Sequence, residues 1–93
     1  MAEIFKGYVR RIDFEPKLEL LEYHVYAHVF LKSQDGTDAD FYTDNPRFEA
    51  AFLTAFSLAQ VTQPPNRAGY IEVHYENVGG EKKVVRVALD DGS

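Results

Sequence analysis

The residues of this 93-residue chain whose types could do chemistry are three histidines, a group of aspartates and a set of aromatics interleaved with cations. His24, His28 and His74 are the only imidazoles, with Glu72 close to His74 in the chain. They would have to converge to hold a metal or share a proton. His24 and His28 lie four residues apart in a segment that reads as extended, which separates them by roughly 13 Å, too far for one ion. A site would therefore need His74 to join one of them, and half-exposed strand histidines are the simpler account. Asp35, Asp38 and Asp40 resemble a calcium loop only superficially. Gly36 stands in the wrong place, no closing Glu follows, and the flanks are strand-like. A hairpin turn explains them better, and neither a metal nor a cofactor is expected.

Other catalytic signatures are missing from the sequence. There is no cysteine, hence no thiolate nucleophile, disulfide or Cys-based metal site. No nucleophile elbow, phosphate loop, dinucleotide fingerprint or His-Glu-x-x-His pair occurs, and Val78-Gly79-Gly80 is explained by turn geometry. The fifteen acids allow many carboxylate pairs, but spacing selects none. The expectation is a binding module and not an enzyme.

The constellation that could bind something is aromatic and cationic. Lys6, Tyr8 and Arg10 alternate on the first strand, Tyr26, His28 and Phe30 on the second, and Tyr42 on the third. If their outer faces adjoin, cations and rings lie side by side, which suits stacked bases or sugar rings. The acids Asp13, Glu15, Glu19 and Glu22 would frame that face, with Glu76 and Glu81 set against Lys82 and Lys83. Phosphates would meet repulsion there, and the net charge of −5 points the same way, since nucleic-acid affinity comes largely from cations on the backbone. Aromatic plus acidic character fits a protein or peptide partner, including a second copy of the chain. Single-stranded nucleic acid or oligosaccharide is the alternative.

The clearest element that must position these residues is a helix over 45–60, NPRFEAAFLTAFSLAQ. Asn45 is a good N-cap and Pro46 suits the first helical position. Phe48, Phe52 and Phe56 form one ridge and Ala51, Ala55 and Ala59 a flatter one, so the helix reads as a lid on a core, with Leu53 on its flank. Pro64 and Pro65 end it. Before it come strands over 4–12, with Gly7 marking a bend or close approach, over 23–32, and over 39–43. The core side should hold Val25, Ala27, Val29, Leu31 and Phe41. Asp35-Gly36 makes a hairpin turn. Residues 13–22, with four acids and Pro16, read as a long acidic loop with a short helical piece at most. After the helix come strands over 69–76 (Ile71, Val73 and Tyr75 on one face) and 82–89 (Val85, Val87 and Leu89 inward), then a polar tail over 90–93.

The order strand, strand, strand, helix, strand, strand is that of the OB-fold, a five-stranded small barrel. The rival is a split βαββαβ arrangement with residues 16–22 as its first helix, but no loop would then separate that helix from the next strand. One domain is expected, with a stability of roughly 5–14 kcal/mol for a chain this size. No apolar run is long enough to cross a membrane, and the Met-Ala-Glu start carries no basic, apolar leader, so the expected location is the cytoplasm with no membrane partner.

Overall fold

The computed structural model describes residues 2–61 and 69–89. Five strands, β1 (Glu3–Glu19), β2 (Glu22–Lys32), β3 (Asp38–Thr43), β4 (Tyr70–Val78) and β5 (Glu81–Leu89), close into a ring in the order β1-β2-β3-β5-β4. One helix, α1 (Pro46–Val61), lies between β3 and β4. This is the five-stranded OB-like arrangement that the element order predicts. All pairings are antiparallel except β3 with β5, which touch in parallel through Tyr42 and Lys83. Closure depends on β1, which pairs with β4 over Glu3–Tyr8 and with β2 from Tyr8 onward.

The core follows the period-2 pattern where the ring is complete. Val9, Ala27, Val29, Leu31, Phe41, Ile71 and Val73 are buried, and Phe52 and Ala55 close over them from α1. Along the helix the deepest line is Phe52, Ala55 and Ala59, with Phe48 and Phe56 packed at its sides, so the alanine ridge lets the backbone lie close. Asn45 caps α1 as expected. Its Oδ1 accepts the Arg47 N–H at 2.9 Å, and its own N–H donates to the buried Thr43 hydroxyl at 3.1 Å.

Three sequence expectations fail. Residues 13–22 are not a loop, and no helix forms over 16–22. β1 continues to Glu19, paired residue by residue with β2 down to Glu19 opposite Glu22, and turns through Leu20 and Leu21 alone. Pro16 is tolerated because β1 lacks a β4 neighbour after Tyr8 and is there an edge strand. Val25 is therefore not core. It lies opposite Pro16 on this extension and is 53% exposed. Val85 is not inward either, because a bulge sets Tyr75 opposite Val84 while His74 faces Arg86. Val84 takes the buried place and Val85 stays exposed. The polar tail over 90–93 and the proline loop lie outside the described residues.

The β2–β3 turn is as expected. The Thr37 N–H and hydroxyl donate to the Asp35 carboxylate at 3.0 and 2.7 Å, and the Ser33 hydroxyl also donates to it. Donation from Ser33 and then Thr37 holds the Asp35 pKa at about 2, against an ordinary 3.8. A depressed carboxylate contributes stability that is complete above its ordinary pKa and is lost as pH falls through the folded value. A carboxyl-carbon NMR titration should accordingly place the Asp35 midpoint near 2, and a midpoint near 3.8 would show that these bonds are not made in solution.

Candidate functional site

The extension of β1 and β2 beyond the ring is a two-stranded arm, and its two faces differ. Successive β1 residues alternate across it, with Asp13, Glu15, Lys17 and Glu19 on one side and Phe14, Pro16 and Leu18 on the other. On β2, His24 and Tyr26 join the polar side, and Tyr23 and Val25 join the apolar side opposite Leu18 and Pro16.

The polar side runs without a break into the outer surface of β2 and β3, where His28 is the hub. Its Nδ1 lies 3.0 Å from the Glu15 carboxylate and its Nε2 lies 2.8 Å from that of Asp40. Both contacts are hydrogen bonds at once only when both ring nitrogens carry protons. The ring stacks on Tyr42 at 4.0 Å and 21°, and leans on Phe30 at 4.1 Å. Arg11 covers Phe30 at 5.5 Å, and Lys17 stands 4.9 Å from the Tyr26 ring and 5.1 Å from Tyr42. The Tyr26 hydroxyl donates to Glu19 at 3.1 Å. That bond, burial and the charges of Glu19, Asp44 and Glu81 raise the Tyr26 pKa. Burial, followed by the charges of Glu15 and Asp40, raises that of Tyr42.

Of the seven residues singled out in the sequence, the structure brings Tyr26, His28, Phe30 and Tyr42 together. Lys6 and Tyr8 do not join them as expected, while Arg10 comes beside Phe30 in a shallow pocket with Asp38 and Asp40. Lys6 and Tyr8 lie on the part of β1 that pairs with β4, where the Lys6 ammonium is 3.6 Å from Glu72 and the Tyr8 ring is 5.5 Å from Tyr70. Arg10 falls in a bulge between Val9 and Arg11 and pairs with Asp38 at 3.0 Å. The bulge shifts the phase by one residue, so Arg11, opposite Phe30, takes the outward place foreseen for Arg10. The residues that sequence reasoning missed are Arg11, Glu15 and Lys17. The alternation through 13–19 was their signal, masked by Pro16 and the run of acids.

A groove of about 800 Å³ lies between the arm and the β4–β5 turn. Tyr26 and Tyr42 line it, as do Lys17, Lys82 and Lys83 against Glu19, Asp40, Asp44 and Glu81. Lys82 is aimed at the Phe41 and Tyr75 rings, 5.3 and 5.8 Å away. Among the described residues no three His, Asp or Glu side chains are grouped to hold a metal, and the two carboxylates on His28 contact opposite edges of its ring. Nor is any described helix long and apolar enough to cross a membrane.

Among the described residues, nothing packs over the apolar side of the arm. Phe14, Leu18, Tyr23 and Val25 are 52–75% exposed, and Leu20 and Leu21 at the tip are 97% and 96% exposed. Both leucines also have positive φ, 49° and 66°. The same two-residue turn joins β4 to β5, where Gly79 and Gly80 occupy the positive-φ positions without a side-chain penalty. In the arm it is made by two residues that resist this conformation, at a cost of roughly 1–2 kcal/mol each.

Comparison with protein-family models, with curated proteins and with solved structures finds no match to this chain.

Proposed function

We propose that this chain is a small, non-catalytic cytoplasmic module whose task is to hold another protein surface, and that the arm is the part that does so. One observation carries the reading. Six large apolar side chains share one face and the tip of a projecting hairpin, and among the described residues nothing shields them from water. A contiguous apolar patch of that size marks a contact surface more often than an accident of composition. Among the described residues the ribbon has no third strand and no helix against it, and two strands alone are marginal, so a covering surface supplies what the arm lacks.

The polar side supports the same reading against single-stranded nucleic acid or oligosaccharide. Ring faces on which a base or sugar would stack are in part taken by the protein's own side chains. His28 lies on Tyr42 and Phe30, Lys17 over Tyr26 and Tyr42, and Arg11 over Phe30. The frame is acidic, with Glu15, Glu19, Asp40, Asp44 and Glu81 around these rings. For a non-catalytic role, the support is that both His28 nitrogens are engaged by carboxylates, which leaves neither open to move a proton on a substrate.

Two measurements test this. A photo-crosslinking residue at position 21 should give discrete protein adducts in the cell, and fluorescence anisotropy with single-stranded oligonucleotides at low salt should show no saturable binding. Tight oligonucleotide binding that is lost on Tyr26→Ala would overturn the proposal.

A further inference from the structure

We infer that the surface covering the arm is the arm of a second copy of this chain, the two packed apolar face to apolar face about a twofold axis. The inference rests on reading the arm as a protein-binding surface, and three observations choose the occupant. The first is charge. In a twofold contact every residue near the axis meets its own copy or a close neighbour of it, so a charged face would repel itself. The contact face, formed by Phe14, Pro16 and Leu18 with Tyr23 and Val25, carries no charge at all. Every charged residue of β1 from Asp13 to Glu19 stands on the other side. In a chain of net charge −5, an uncharged face is where a second copy can approach at short range.

The second is area and composition. The exposed parts of these side chains and the two tip leucines come to apolar surface on the order of the ~800 Å² per partner that a standard interface buries. Interfaces between identical chains are also more apolar than those between separately stable proteins, which keep polar and charged groups for recognition. Here the tyrosine hydroxyl of Tyr23 is the only polar side-chain group on the face.

The third is the turn. Leu20 and Leu21 hold φ values of 49° and 66°, which glycine or asparagine would adopt at lower cost, and both side chains are almost wholly in water. In the separate chain that choice loses twice, in backbone strain and in exposed apolar area. Packed on a partner arm, the same side chains extend the contact at its ends, which accounts for leucine at both positions.

The test is sedimentation of the purified chain from micromolar to millimolar concentration. The unaltered protein should run at twice the monomer mass in the micromolar range. Leu18→Glu puts a carboxylate in the middle of the face, opposite that of the other copy, and should weaken the dimer at least about 100-fold. A second variant, Leu20→Asn with Leu21→Gly, guards against simple misfolding. It installs the favoured sequence for this turn, so its melting temperature at concentrations where both proteins are monomeric should rise, while its dimer weakens about 10-fold. A strict monomer at all concentrations overturns the second copy as occupant, and crosslinks from position 21 to a different protein would then leave the broader reading standing. A dimer indifferent to both variants overturns the assignment of the arm as the contact.

Discussion

Replacing Phe52 by alanine lowers the stability of this domain by about 3–5 kcal/mol, a large share of the roughly 5–14 kcal/mol that a chain of this length has in total. Phe52 is fully buried and is the bulkiest member of the line by which α1 closes the ring, with Ala55 one turn on. Truncation removes the ring from a site whose neighbours, including Val9, Val29, Ile71 and Val73, are strand residues held by ladder hydrogen bonds. They cannot move inward to fill the cavity, which places the cost at the upper end of such changes. Thermal unfolding should show a drop of roughly 15–30 °C. Leu53→Ala, one residue along and 43% exposed, is the control and should cost less than about 1 kcal/mol. A similar loss for both would mean that α1 packs with a different face on the strands.

How much of this could be read from the sequence depends on whether burial enforces the pattern. Inside the ring one side of each strand is core, and the alternation of Ala27, Val29 and Leu31, of Phe41, and of Ile71 and Val73 states it directly. The helix was readable for the same reason, since Asn45 and Pro46 fix its start and Phe52 and Ala55 its inner face. Two kinds of feature were not. Bulges at Arg10 and beside Tyr75 shift the phase by one residue, which exchanges Arg11 for Arg10 and Val84 for Val85, and no residue type announces them. The arm escaped for a different reason. Phe14, Pro16, Leu18 and Leu20 do alternate with Asp13, Glu15, Lys17 and Glu19, but a proline and two leucines at the turn contradict the rules for strands and hairpins. A single-chain core gives no reason for such residues. The place where local rules fail is the place assigned here to contact with a second chain.

Gly7→Ala should destabilise the domain by about 1–2 kcal/mol, and its sign is the informative part. Gly7 is not among the glycines with positive φ, so its backbone suits any residue, and alanine there would ordinarily stabilise by about 0.4–1 kcal/mol through the unfolded chain. What opposes this is space. A Cβ at Gly7 would stand 2.5 Å from the Lys32 carbonyl oxygen and 2.8 Å from its carbon, both backbone atoms. Neither can swing aside as a side chain does. Gly7 pairs with Ile71 of β4, and the next residue, Tyr8, pairs with both Tyr70 and Lys32, so this is where β1 passes from one neighbour to the other and closes the ring. Moving Lys32 away therefore strains the closure itself, and overpacking of that kind costs about 1–3 kcal/mol before the lost glycine flexibility is set against it. The expected reading is a lower urea midpoint with an unchanged slope. A rise in the midpoint would show that β1 and β2 do not approach this closely in solution. A fall in both midpoint and slope would show instead that the ring has opened in the folded state. Either result would reach the arm as well, because the same strand β1 runs on from this junction to Glu19.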